Sequence, residues 1–141
     1  MDELYRENIL DHYKRPRKFG RLEEFDLDFE DTNPFCGDEQ HVFIKLGEDG
    51  RVADIAFEGK GCAISTAATS LLTDELTGMT REELLRLPKE TVLELLGIEI
   101  SATRMKCAML GLKVIKSASL GEPADWEDEG EEGDPAEAGV V

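Results

Sequence analysis

Three cysteines, Cys36, Cys62 and Cys107, together with Asp38 two residues beyond the first, are the residues of this 141-residue chain whose types support metal or sulfur chemistry. Three thiolates and one carboxylate form a four-donor set suited to tetrahedral zinc, or to iron with inorganic sulfur. Gathering that much negative charge is unfavourable unless a cation neutralises it. No two of the cysteines form a Cys-x-x-Cys pair, so the zinc-ribbon and redox-dithiol spacings are absent. Three cysteines cannot all pair within one chain, and a reducing compartment keeps them as thiols or thiolates.

Each cysteine sits at a junction in the pattern. Cys36 lies in Asn33-Pro34-Phe35-Cys36-Gly37-Asp38, a segment rich in turn formers. Cys62 follows Gly59-Lys60-Gly61, where a strand-like alternation gives way to a helical one, and Cys107 falls in the first turns of the last helical segment. Gly37 can take positive φ and bend the chain so that Cys36 and Asp38 aim at one point; in a regular strand they would also share a face. A helix start at Cys62 sets positive backbone charge beside its sulfur, and Arg104 and Lys106 next to Cys107 can hold a negative sulfur species. Reduced cysteines are also common small core residues without function, and on count alone that reading is favoured. Junction placement, flanking glycines and Asp38 bring the ligand reading level with it. His41 permits a Cys-His-Asp nucleophilic triad on paper, but all three members would come from six consecutive residues, so His41 is read as a strand residue and reserve ligand, and His12 as part of a helix packing face.

The elements that must position these groups can be read from periodicity. Leu4, Tyr5, Ile9, His12 and Tyr13 predict an amphipathic helix over 3–14, ended by Pro16. Period-two alternation predicts strands over 25–30, 41–46 and 52–57, the last two joined through Gly47-Glu48-Asp49-Gly50 as an antiparallel hairpin. A helix over 62–76 follows, then a short helix from the capping box Thr80-Arg81-Glu82-Glu83 through Leu87, a helical turn over 91–96 ended by Gly97, and a final amphipathic helix from Ser101 or Thr103 with Met105, Ala108, Met109, Leu112 and Ile115 on its apolar face. The basic run 14–21 reads equally as a docking patch or as charges balancing nearby carboxylates.

Composition narrows the function. With 40% hydrophobic and 34% charged residues the chain reads as globular, and no apolar run approaches the roughly 20 residues that span a bilayer. Its acidic first residues do not form a secretory signal, so a cytoplasmic location and no membrane partner are expected. The net charge of −16 opposes nucleic-acid binding. Residues 121–141 hold nine of the 32 carboxylates and none of the 16 basic residues, leaving −7 for residues 1–120. We therefore expect one domain over 1–120 and a disordered acidic tail over 121–141, in which Trp126 is a stray aromatic before it is a partner anchor.

At Asn33-Pro34-Phe35-Cys36-Gly37-Asp38, Gly61-Cys62-Ala63-Ile64-Ser65 and Arg104-Met105-Lys106-Cys107-Ala108 the chain closely resembles the IscU/SufU/NifU-N family of iron–sulfur cluster assembly scaffolds. The likeness includes Asp11-His12-Tyr13 through Pro16-Arg17 and spans residues 3–118. The resemblance implies an α+β fold, a three-stranded antiparallel sheet with helices packed mainly on one face. It implies a scaffold, not an enzyme in its own right, that accepts sulfur as persulfide from a cysteine desulfurase of the IscS/SufS type. The scaffold also binds iron, builds a 2Fe-2S cluster and passes it to acceptor or carrier proteins. By motif, Cys36, Asp38, Cys62 and Cys107 would be the ligands, Cys107 and Cys36 the candidate persulfide acceptors, and Lys106 and Arg104 their cationic neighbours.

The chain departs from the IscU branch in two places. Lys106 stands where that branch has a His before the third cysteine. Gly97-Ile-Glu-Ile-Ser101 replaces the Leu-Pro-Pro-Val-Lys segment read by a dedicated Hsp70-type chaperone, so that partner is not expected. Arg104-x-Lys106-Cys107-Ala108 is instead similar to the SufU branch of zinc-dependent sulfur carriers, although the 45-residue step from Cys62 to Cys107 is short for that branch. Four anionic ligands total −4, and zinc or an oxidised 2Fe-2S core each supplies +2, so zinc can hold the apo site in the same electrostatic state. Three functions stay open: a cluster scaffold, a zinc-dependent sulfurtransferase, and a zinc-stabilised interaction module without chemistry.

Overall fold

The computed structural model describes residues 2–33 and 37–124. In chain order the elements are α1 (Asp2–Lys14), β1 (Leu27–Asn33), β2 (Asp38–Leu46), β3 (Val52–Lys60), α2 (Ala63–Thr73), α3 (Arg81–Leu85), α4 (Lys89–Leu96), a 3-10 turn (Ala102–Arg104) and α5 (Met105–Leu120). The strands form one antiparallel sheet in the order β1-β2-β3. This is the α+β architecture expected. No helix among the described residues is long and apolar enough to cross a membrane.

Strand alternation assigns the two faces. Leu27, Ile44 and Ile55 form one cross-strand row, and Phe29, Val42 and Phe57 the next. These rows face α5, which packs along β1 and β2, and α2, which packs against α5, α4, α1 and β3. On the opposite face, residues of the segment between α1 and β1 pack on the sheet. Phe43, fully buried, is enclosed there by the edge of Phe25 at 5.1 Å, a stacked His41 at 4.1 Å and the Arg21 guanidinium at 4.8 Å.

The basic segment after α1 closes the free edge of β3. Phe57 N–H donates to Lys18 O at 2.9 Å and Gly20 N–H to Phe57 O at 2.8 Å, so backbone groups that would otherwise invite another strand are paired. Its arginines balance carboxylates, with Arg15 and Arg17 on Asp11 and Arg21 on Glu58. The hydrogen bonds from Arg17 and Arg15 hold the Asp11 carboxyl below the usual carboxylate range. On α1 the buried face is Ile9 and His12, with Tyr5 partly covered, while Leu4 and Tyr13, which the periodicity assigns to the apolar face, are exposed.

Two readings need physical correction. The last helix is not amphipathic: every residue from Cys107 to Ser119 is buried, because α5 runs between the sheet, α2, α3 and α4. Its polar residues are accommodated locally, Lys113 by Asp31 of β1 and the Ser117 and Ser119 hydroxyls by the carbonyls of Lys113 and Ile115. The strands also run further than their alternation shows. β1 reaches Asn33 rather than Glu30, β2 starts at Asp38 rather than His41, and β3 runs to Lys60 rather than Phe57. All three extensions lie at one end of the sheet.

The helical boundaries shift by smaller amounts. α2 ends at Thr73 with Asp74 as its C-cap, and α4 begins at Lys89 behind an extended Pro88. The capping box is present as read: Glu83 N–H donates to Thr80 Oγ1 at 3.1 Å, and Thr80 N–H to Glu83 Oε1 at 2.9 Å. Of the acidic tail, residues 125–141 and with them Trp126 lie outside the described residues.

Candidate metal and cluster site

Along the core face of β2 the side chains change from Ile44 and Val42 to Gln40 and Asp38, so the hydrophobic core ends where the strands extend. Asp38 opens β2 opposite Asn33, and both are buried. Asp38 Oδ1 accepts a hydrogen bond from Cys62 N–H at 3.1 Å. That approach requires Gly61, since a Cβ there would lie 2.7 Å from Asp38 Oδ1. The second oxygen, Asp38 Oδ2, is buried with no hydrogen-bond partner among the described residues. A buried, unpaired carboxylate oxygen is strongly unfavourable on its own and calls for a cation.

Two helix starts bring the sulfurs to the same place. Cys62 is the N-cap of α2, extended at φ −75° and ψ 172°, with its Sγ accepting from Ser65 N–H at 3.5 Å. Cys107 is the third residue of α5, 1% exposed, and the Asn33 side-chain amide lies 3.8 Å from its sulfur. The ligand atoms of Asp38, Cys62 and Cys107 all fall within 4.8 Å of one another. Zinc–sulfur bonds of about 2.3 Å in a tetrahedron separate the sulfurs by about 3.8 Å, so closing this group on an ion needs movements of roughly an ångström. The donor set fits zinc or a thiolate-ligated cluster. Positive helix ends at Cys62 and Cys107 complement the negative charge that remains with either guest.

The group lies in an open cleft of about 460 Å³ lined by Asp38, Cys62, Cys107, Lys60, Thr103 and Arg104, with Gly37 and Gly61 in its walls. Cys36, the remaining ligand read from sequence, lies outside the described residues. Arg104 is exposed at the cleft, whereas Lys106 is half-buried one residue before Cys107 and is not among the lining residues. His41 is not near these groups. One residue of strand parity puts it on the opposite sheet face, where its Nε2 meets Asp28 Oδ2 at 2.7 Å. The sequence reading missed Lys60 and Thr103 at the cleft, the Asn33 amide on Cys107, and a buried network of Gln40, Ser65 and Thr69 beneath it. Lys60 stands between the glycines that flag the junction; the network left no sequence signal, because polar residues in a strand and a small-residue helix look like surface.

The family model described as the NifU-like N terminal domain matches residues 4–121. The chain belongs to this family. Among curated NifU-family relatives, the IscU cluster assembly scaffold of Streptococcus pyogenes serotype M1 is 36% identical over 135 residues, covering 84% of each chain. IscU 1 of Archaeoglobus fulgidus, also named a cluster assembly scaffold, is 34% identical over 115 residues, covering 82% of this chain and 74% of the relative. The zinc-dependent sulfurtransferase SufU of Bacillus subtilis is 34% identical over 133 residues, covering 82% of this chain and 89% of its own. Among solved structures, a SufU protein of Fervidobacterium islandicum AW-1, described as a candidate scaffold of the SUF system, superposes with TM-score 0.70 at 25% identity, covering 80% of this chain and 94% of that one. The family and the fold named from the three motifs are thereby both found.

Proposed function

We propose that this NifU-family chain is an iron–sulfur cluster assembly scaffold: a carrier that collects sulfur and iron in one cleft, holds the 2Fe-2S product as cargo, and releases it to acceptor or carrier proteins. The observation that carries this reading is the convergence of the ligand atoms of Asp38, Cys62 and Cys107 within 4.8 Å of one another, beside an Asp38 Oδ2 that is buried with no hydrogen-bond partner among the described residues. Cys36, Asp38, Cys62 and Cys107 are the proposed ligands for the cargo. The same four residues would hold a zinc ion in its absence, and the ion would supply the positive charge that keeps four anionic groups together.

Sulfur delivery places chemical demands on the cleft. A cleft thiolate attacks the terminal sulfur of the donor's persulfide; the donor S–S bond breaks as a new one forms, and the donor cysteine leaves as a thiolate, so this handover needs no oxidant or reductant. Cys107 and Cys36 are the proposed acceptors. Because Cys107 is 1% exposed, a persulfide must enter the cleft to reach it. Lys60 and Arg104 at the rim attract the anionic donor. A cysteine desulfurase of the IscS/SufS type is the proposed donor.

A second reading, a zinc-dependent sulfurtransferase, is favoured by Arg104-x-Lys106-Cys107 and by the similarity to SufU of B. subtilis. One experiment separates the two. Anaerobic incubation with ferrous iron, cysteine, a thiol reductant and a desulfurase is expected to produce the visible charge-transfer bands of a thiolate-bound cluster on this chain. Faster desulfurase turnover without those bands would establish the sulfurtransferase instead, and neither effect would overturn both.

A further inference from the structure

Gln40 occupies a position where the core face of β2 would accept another aliphatic residue after Ile44 and Val42, yet it is a polar side chain only 3% exposed. Its Nε2 donates to Ser65 O at 3.1 Å and to Ser65 Oγ at 3.0 Å, while its Oε1 accepts from Thr69 Oγ1 at 2.6 Å. Ser65 and Thr69 are themselves fully buried, so the amide is matched at both ends in a low-dielectric setting. Ser65 is also the residue whose N–H reaches the Cys62 sulfur. On α5, Gly111 lies one turn beyond Cys107, and a Cβ there would come within 2.2 Å of Thr69 Oγ1 and 3.1 Å of Gln40 Oε1. One side chain of β2, the strand that Asp38 opens, thus bonds two residues of α2, the helix that Cys62 caps, and lies beside the Gly111 notch of α5, the helix that carries Cys107.

We infer that Gln40 is a positioning residue for the ligand site, clamping the N-terminal half of α2 through Ser65 and Thr69 against β2 and α5 so that Cys62 and Cys107 are held at Asp38. The inference rests on the ligand reading of the preceding section and adds what fixes the ligand geometry. Partners that orient metal ligands without touching the metal typically contribute about 10–100-fold in metal affinity. A polar network kept only for stability behaves differently, since replacing both partners with apolar groups of the same shape is close to neutral.

The test uses the full chain with cobalt(II) as a spectroscopic probe and zinc for affinity. In the wild type, cobalt is expected to give the intense visible bands of tetrahedral thiolate coordination. Gln40→Met keeps the side-chain volume, and it is expected to weaken zinc binding by about 10–100-fold and to shift or diminish those bands. Combining Gln40→Met with Thr69→Val removes the unpaired Thr69 hydroxyl and is expected to recover part of the melting temperature of the metal-free protein, the Ser65 hydroxyl still lacking its Gln40 donor, but not the affinity or the spectrum. A spectrum and affinity unchanged by Gln40→Met, or fully restored in the double variant, would overturn the positioning role. If Gln40→Met does not fold, Ser65→Ala removes one bond of the clamp, and unchanged zinc affinity in that variant overturns the role equally. Absence of thiolate–cobalt bands in the wild type removes the ligand site itself, an outcome visible before any variant is made.

Discussion

The close approach of α2 to α5 can be probed at a single atom by Gly111→Ala. On helix propensity alone this change stabilises an α-helix by about 1 kcal/mol. Here the added Cβ would lie 2.2 Å from Thr69 Oγ1, 3.0 Å from Thr69 Cβ and 3.1 Å from Gln40 Oε1, and neither Thr69 nor Gln40 has open space to retreat into. Forcing a methyl into a packed interior costs about 1–3 kcal/mol. Displacing the Thr69 hydroxyl leaves the Gln40 carbonyl oxygen buried without its 2.6 Å donor, which adds about 1–3 kcal/mol. The unfavourable terms exceed the propensity gain, for a net loss of about 2 kcal/mol or more and a fall in melting temperature of roughly 5–10 °C. Urea denaturation of the chelator-treated protein measures the first quantity, and a zinc titration shows whether pushing α5 away from α2 also weakens the site. Adding Thr69→Ala to Gly111→Ala removes the closest clashing atom, Thr69 Oγ1, while the Cβ at 3.0 Å stays, and is expected to recover part of the loss. A Gly111→Ala protein as stable as the wild type, or stabilised by the propensity difference, would refute the claim that these helices touch at this point.

Other perturbations address the metal, the cargo and pH. Stripping zinc with a chelator is expected to lower the melting temperature, since an ion present at about 100 times its dissociation constant contributes about 2.7 kcal/mol, and hydrogen exchange should rise around Asp38, Cys62 and Cys107; unchanged melting and exchange would remove the stabilising role of zinc. Asp38 offers oxygen among sulfur ligands, so Asp38→Ala is expected to slow transfer of a preloaded cluster to an acceptor several-fold in a stopped-flow assay, with equal or faster transfer counting against a release role. Burial, and next the nearby Arg17 charge, push His12 below its ordinary 6.5, with Asp11 and Asp74 opposing more weakly. The unfolded chain therefore takes up the proton first as pH falls, so this contribution to stability is complete above about pH 6.5 and is lost progressively below it. His12→Gln keeps a polar partner for Ser70 Oγ, now 2.7 Å from Nδ1, and is expected to flatten the decline in melting temperature between about pH 7 and pH 5; an unchanged slope would assign that decline to other groups.

Legibility in the sequence followed the hydrophobic pattern and failed where that pattern is replaced by polar packing. Ile44, Val42, Ile55 and Phe57 marked their strands because burial on one face writes a period of two. Half-buried Asp31 and buried Asn33, Asp38 and Gln40 continue the same strands with the same alternation but with polar groups turned inward, so the alternation vanished from view just where the site begins. For α5 the failure was the reverse. Its periodic apolar residues were read as one stripe, whereas the packing of the sheet, α2, α3 and α4 around it buries Lys113 and Ser117 as well, a tertiary fact that no local period encodes. Asp38, Cys62 and Cys107, which the fold brings to one cleft, stood out in the sequence because glycine and turn chemistry mark their junctions, as at Gly61, whose missing side chain gives Asp38 its path to the Cys62 N–H. What the motif could not carry was the means of holding those junctions together. Three elements bring Asp38, Cys62 and Cys107 to one cleft, and on β2 the inward-facing residues next to it are polar rather than apolar. The Gln40 amide, Ser65, Thr69 and the Gly111 notch fill that gap with directional bonds, which set separations more narrowly than non-directional apolar contact does. On the proposed reading, a core end built this way holds the anionic groups close together while leaving the cleft open for cargo to enter and leave.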